Sequence, residues 1–153
     1  MSAVAAAPQA GGFEGREHVL PIRVYYEDTD FTGIVYHASY LRFFERGRTE
    51  FLRAMGVEHG SLLTLPDPCA FAVTKLTVQF RKAARVDDAL EVRTRFSQKR
   101  GVRIAAGQRI LRGRELICEA DVEVICIDLA GRPRRPPREV WNAVQRLIDD
   151  TTP

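Results

Sequence analysis

Three carboxylates crowd one short stretch of the chain. Glu27, Asp28 and Asp30 stand just before Gly33 in the run Tyr25-Tyr26-Glu27-Asp28-Thr29-Asp30-Phe31-Thr32-Gly33-Ile34-Val35-Tyr36-His37-Ala38-Ser39-Tyr40. A strand-like pattern ends there, the chain turns at glycine, and a helix-like pattern begins. Such an arrangement sets a charged carboxylate beside the free amides of a helix start. A carboxylate attacks a carbonyl or takes a proton from water, and helix-start amides stabilise the oxyanion that develops. The same residues also suit a plainer role, because Asp caps free backbone N–H groups and favours the positive end of the helix dipole.

Other chemistries fit less well. Asp28, Asp30, Thr32 and Gly33 match the first, third, fifth and sixth positions of an EF-hand loop. The twelfth position is Ser39 rather than a bidentate Glu, and a strand rather than a helix precedes it. No G-x-S-x-G nucleophile elbow occurs. His18, His37 and His59 lack the i, i+4 spacing of a zinc helix. The spacing thus points to no metal.

The elements that must hold this turn follow from periodicity. From His18 to Glu27 the apolar residues Leu20, Ile22, Val24 and Tyr26 alternate with Pro21, Arg23 and Tyr25, which predicts a half-buried strand. From about Val35 to Met55 the period changes to three and four: Tyr40, Phe44, Gly47, Phe51 and Met55 share one face with Leu41, Arg48 and Leu52 beside it. Gly56 ends the helix. The Gly60–Pro68 stretch reads as loop. Strands are expected over Ala70–Arg81, Ala89–Gln98, Val102–Leu111 and Leu116–Ile127, joined by turns short enough to force antiparallel hairpins. Trp141, Val144 and Leu147 give a short final helix over Arg138–Asp149. One long apolar helix covers one face of such a sheet, so a five-stranded antiparallel sheet wrapped around that helix is the economical α+β arrangement. The edge strand and the far face are then candidates for subunit contacts.

With 153 residues, the length is that of one domain. Residues 1–17, rich in Ala, Gly and Pro, read as a flexible tail without the basic and long apolar regions of a signal peptide, and residues 18–150 as the folded domain. No apolar run approaches the roughly 20 residues that span a bilayer, so stable membrane insertion is not expected. Cys69, Cys118 and Cys126 have no metal-type spacing and read as buried reduced thiols of a cytoplasmic protein. Charge is uneven: from Arg81 to Arg114 eleven basic residues face three acidic ones. Phe96 is the only aromatic in that run, too few for base stacking, so nucleic acid is not the expected partner. The run reads either as a solvated strand face with helix-start loops or as a surface that attracts a phosphate-bearing partner.

The signature Val24-Tyr25-Tyr26-Glu27-Asp28-Thr29-Asp30-x-x-Gly33-Ile34-Val35-Tyr36-His37-Ala38-Ser39-Tyr40, followed by Phe43-Phe44-Glu45-Arg46-Gly47-Arg48-Thr49-Glu50, resembles hotdog-fold acyl-CoA thioesterases. It is most similar to the Tol–Pal-associated (YbgC-type) branch of the 4-hydroxybenzoyl-CoA thioesterase family. Phe71-Ala72-Val73-Thr74-Lys75-Leu76-Thr77-Val78 and Ala84-Arg85-Val86-Asp87-Asp88 extend the likeness, which covers about residues 18–140. The resemblance implies a hotdog fold and cleavage of acyl-CoA to free acid and CoA. It implies Asp30 as catalytic carboxylate, as nucleophile or general base. His37 is implied as the helix-start residue whose backbone N–H polarises the thioester carbonyl. Gly33, Val35 and Tyr36 are expected on the substrate side. No cofactor is implied beyond the CoA of the substrate itself, whose phosphates Arg81, Lys82, Arg85, Lys99 or Arg100 could meet. A homodimer or homotetramer is expected, with acyl carrier protein a possible partner. The alternative reading is a hotdog protein that binds acyl-CoA or acyl carrier protein without cleaving it.

Overall fold

The computed structural model of the chain describes residues 6–98 and 101–148. Its elements are strands β1 (Gly12–Glu14) and β2 (Glu17–Arg23), helices α1 (His37–Ala54) and α2 (His59–Leu63), then strands β3 (Cys69–Phe80), β4 (Ala89–Gln98), β5 (Arg103–Arg112) and β6 (Glu115–Asp128), and helix α3 (Arg138–Gln145). The strands form one antiparallel sheet in the order β1-β2-β4-β5-β6-β3. Helix α1 lies across β2, β4 and β5, while α2 packs on β3.

The sheet has six strands, not five. The extra strand, β1, falls in the stretch read as a tail, where Gly12, Phe13 and Glu14 pair with Val19, His18 and Glu17. A three-residue hairpin arm leaves no periodic signal, and Phe13 earns its place by edge contacts with the rings of His18 and Phe51. The strand expected to reach Glu27 stops at Arg23 and gives way to a 3-10 turn over Tyr26–Asp28. The carboxylate of Asp28 accepts the Tyr25 amide (2.8 Å) and pulls the backbone out of the ladder. Helix α2 occupies part of the expected Gly60–Pro68 loop. Lys99, Arg100 and Asp149 lie outside the described residues.

Helix α1 is held by an aromatic face and a polar clamp. Phe43, Phe44 and Phe51 are fully buried, and Tyr40 is nearly so. The helix backbone comes close to the sheet at Gly47, where a Cβ would lie 2.7 Å from Val92 Cγ1 and 2.8 Å from Thr94 Oγ1. Beneath it, buried Gln108 donates from Nε2 to the Phe44 carbonyl (2.8 Å) and to Thr94 Oγ1 (2.9 Å). Its Oε1 accepts from Arg48 Nη1 (2.9 Å). A buried amide is stable only when its groups are paired in this way. At its C-terminus α1 closes with a Schellman motif. Gly56, at φ +84°, donates to Arg53 O, and Val57 donates to Leu52 O.

Strand β3 is a free edge of the sheet, and it bears on the site. A bulge between Val73 and Lys75 shifts its register against β6. Without the extra residue, period-two alternation would turn Leu76, Val78 and Phe80 to the outer face. With it, Phe71, Val73, Leu76, Val78 and Phe80 all stand opposite the buried residues Cys126, Val124, Val122, Ala120 and Cys118. One apolar strip thus runs the length of β3 on the helix side, and Val73, Leu76 and Phe80 remain exposed.

Candidate active site

The acidic turn is a hairpin stitched to a second loop. Thr29 bridges Val35, Asp30 N–H donates to Ile34 O (2.9 Å), and Tyr36 N–H donates to Asp28 O (2.9 Å). Gly33 N–H closes the tight turn on Asp30 O (3.0 Å), and its φ of +81° is a conformation that other residues adopt only with strain. The loop after β3 fixes the hairpin from outside. Val35 N–H donates to Ala84 O (2.8 Å), Val86 N–H to Gly33 O (3.3 Å), and Ile34 bridges Arg85. That loop is tied in turn to helix and sheet. Ala84 N–H donates to Tyr40 Oη (3.1 Å), and Arg112 Nη1 donates to Asp88 Oδ2 (2.8 Å) and Ala83 O (3.2 Å).

The three carboxylates divide their work. Asp28 is buried and serves the backbone of the 3-10 turn. Glu27 is exposed. Asp30 is held through Oδ1 alone, which accepts Thr32 N–H (2.8 Å) and Thr32 Oγ1–H (2.5 Å). Its Oδ2 has no partner among the described residues. The hydroxyl and amide of Thr32 hold the Asp30 carboxyl below the ordinary range, so it is ionised at neutral pH.

On the other arm, α1 starts without a cap. Tyr36 is the N-cap but contributes no side-chain hydrogen bond, and the first turn holds no acidic residue. Ser39 N–H bonds back to Tyr36 O (2.8 Å). The amides of His37 and Ala38 therefore have no acceptor among the described residues. These are the orphan donors of a helix N-terminus, and they favour a negatively charged or polarised oxygen.

The expected site residues sort as follows. Asp30, Gly33, Tyr36 and His37 belong to this one hairpin and helix start. The Tyr36 amide is engaged by Asp28, and its half-exposed ring packs on the His37 ring at 4.5 Å. The His37 ring also meets Phe80 edge-on at 6.2 Å. Val35 is buried in the hydrophobic core, where its amide serves the loop at Ala84, so it supports the site from behind. Sequence reasoning missed Thr32, whose capping of Asp30 is carried by an Asp-x-Thr spacing that an Asx turn uses. Tyr40, expected on the shared face of the helix, is buried in the core and also accepts a hydrogen bond from the Ala84 amide.

Part of the basic run is neutralised by acidic residues, most of them distant in sequence. Arg81 pairs with Glu119 (2.6 Å) and Lys82 with Glu115 (3.1 Å). Arg93 joins Glu14, Glu17 and Glu91, and Arg109 also reaches Glu17. Arg85 differs: its amide bonds to Asp88 Oδ2, but its exposed guanidinium has no acceptor among the described residues. It sits directly across from Ile34 of the acidic hairpin.

Known proteins resemble the chain over most of its length. Residues 24–145 match the family model of the thioesterase-like superfamily. The acyl-CoA thioesterase YbgC of Haemophilus influenzae is 44% identical over 129 residues, covering 84% of this chain and 94% of that protein. The acyl-CoA thioester hydrolase YbgC of Escherichia coli O6:H1 is 44% identical over 122 residues, covering 78% and 90%. Among solved structures, a probable thioesterase from Bartonella henselae superposes with a TM-score of 0.77 at 41% identity, covering 79% of this chain and 99% of that one. The fold, the turn and the length of these matches lead to one assignment: the chain belongs to the thioesterase-like superfamily and has its hotdog fold.

Proposed function

We infer that the protein hydrolyses acyl-CoA thioesters to free acid and CoA at the Asp30 hairpin. The observation that carries this reading is the pairing of a carboxylate having one free oxygen with two helix-start amides lacking an acceptor. The thioester carbonyl oxygen lies on the amides of His37 and Ala38, which strengthen their grip as it gains negative charge. Asp30 Oδ2 either attacks the carbonyl carbon or takes a proton from the water that does. The C–S bond then breaks and CoA leaves as thiolate; where Asp30 attacked, water hydrolyses the acyl-aspartyl anhydride to the free acid and restores the carboxylate, and where water attacked, the proton held by Asp30 passes to the thiolate. The relatives named as acyl-CoA thioesterases and thioester hydrolases support the same chemistry.

The remaining features are assigned around this step. Arg85 meets a phosphate of CoA beside the hairpin, because it is the basic residue of that loop with a free guanidinium. Gly33 keeps the turn tight, and the Tyr36 and His37 rings flank the entry. The working unit is a homodimer joined along the free edge of β3, whose apolar strip a second copy would cover. Buried, unpaired Cys69, Cys118 and Cys126 fit a cytoplasmic setting. Acyl carrier protein offers the same thioester and is a second candidate donor. The test is release of free thiol over a panel of acyl-CoAs and acylated carrier protein. Turnover with acyl-CoA supports the reading; stoichiometric binding without thiol release supports the non-catalytic alternative and overturns it.

A further inference from the structure

A cavity of about 90 Å³ opens between α1, the sheet and α3, well away from the Asp30 hairpin. Most of its wall is apolar, including Leu52, Phe71, Phe96, Ile104, Trp141 and Val144. One side is different. Glu45, Arg48 and Thr49 of α1 reach it, with His59 at the rim. Thr49 and His59 are partnered with each other at 3.4 Å. Arg48 is half-buried and spends one donor, Nη1, on Gln108. Gln108 is itself fixed by Phe44 O and Thr94, so it holds the guanidinium in place. Neither Arg48 nor Glu45 has an ion-pair partner within contact distance among the described residues. Burial works against the Arg48 charge, and Glu45 nearby supports it. A donor with unused N–H groups and a free carboxylate therefore share one wall of an otherwise apolar recess.

Helix α1 joins the hairpin to this recess: Phe80 touches the His37 ring at its start, and Phe71 and Val73 line the cavity farther along. Arg48 follows His37 by eleven residues of helix, about 16 Å at 1.5 Å per residue. Its side chain leans back toward the N-terminus, which shortens the span slightly. An extended chain advances about 3.5 Å per three bonds, so about 12–14 atoms bridge the gap. The volume is below the roughly 150 Å³ that admits benzene, so the recess takes the last few atoms of a chain and no ring.

We propose that this cavity receives the far end of the acyl chain, and that Arg48 and Glu45 select chains of about 12–14 atoms ending in a hydroxyl. A hydroxyl both accepts from Arg48 and donates to Glu45. A methyl end leaves both groups unmatched, and a terminal carboxylate is repelled by Glu45. The proposal rests on the thioesterase reading for the position of the carbonyl, and its test separates the two.

The probes are dodecanoyl-CoA, 12-hydroxydodecanoyl-CoA and dodecanedioyl-CoA. Wild type is expected to favour the hydroxylated thioester over dodecanoyl-CoA by about tenfold or more in kcat/KM, the value of a hydrogen bond to a charged group. Arg48→Met brings that ratio to one. Glu45→Gln, at an exposed position that leaves the fold intact, improves dodecanedioyl-CoA, a gain that misfolding cannot produce. A ratio of one in wild type, or a preference that survives Arg48→Met, overturns the cavity assignment while hydrolysis of dodecanoyl-CoA leaves the thioesterase reading standing. If none of the thioesters is cleaved, the same ratios are read from calorimetric binding of the intact thioesters, with the same outcomes deciding.

Discussion

At the scale of single residues, the turn divides similar side chains into different tasks by their hydrogen bonds. Asp28 and Asp30 are two positions apart, yet one is buried against a backbone amide and the other keeps a free oxygen. Thr32 lowers the Asp30 pKa. In the proposed mechanism the ionised form is the active one, so activity should persist as pH falls and be lost only when pH drops through the lowered value. Thr32→Val removes the hydroxyl bond and raises the Asp30 pKa toward the ordinary range. The acid limb of kcat/KM against pH should therefore move to higher pH, and an unmoved limb would place the titration elsewhere. Arg85→Ala should raise KM for acyl-CoA severalfold and flatten its dependence on salt, with kcat nearly unchanged. Unchanged KM would remove Arg85 from the CoA contact. The hairpin was legible in sequence because Asp, Gly and the helix start are local signals. The selection of Arg85 was not, since the partners that neutralise Arg81 and Lys82, Glu119 and Glu115, are more than thirty residues away.

At the scale of elements, helix α1 is positioned by shape as much as by its apolar face. Gly47 lets it settle on Val92 and Thr94, and the Gln108 clamp sets it against Phe44. Gly47→Ala forces a methyl into contacts of 2.7 and 2.8 Å, so the helix or the β4 side chains must shift. We expect a loss of about 1–3 kcal/mol, read as a lower urea midpoint at unchanged slope. An unchanged midpoint would mean the helix has room to move. Period alone revealed α1 and the four later strands, because each runs for ten residues or more. It could not reveal β1, three residues long, or the bulge in β3. That bulge is visible only as a shift in pairing with β6, although its consequence, five apolar residues kept on one face, decides what the edge offers.

At the scale of the whole molecule, the apolar strip of β3 is uncovered in the single chain, while the opposite face of the sheet carries a mesh of ion pairs around Arg93, Arg109 and Glu17. Association is therefore expected along the β3 edge rather than back to back. Light scattering at micromolar concentration should give twice the 17.3 kDa chain mass. Leu76→Lys, which puts a charge in the strip, should shift the protein toward monomer and lower activity. A wild-type monomer would contradict the dimer, and a Leu76→Lys dimer would move its interface off this edge. The strand order needed to recognise β3 as an edge comes from the pairing of β3 with β6 and of β2 with β4, a long-range choice that no local pattern encodes.

The central claim is that Asp30 and the helix start cleave a thioester together. The most direct measurement is thiol release from an acyl-CoA substrate by wild type and Asp30→Asn, with thermal unfolding of both as the control for fold. Asp30 is exposed enough that the amide should fold normally, and losing its charge should remove most turnover while leaving substrate binding. His37→Ala, which keeps the backbone amide, should cost less. Near wild-type turnover by Asp30→Asn would contradict the account.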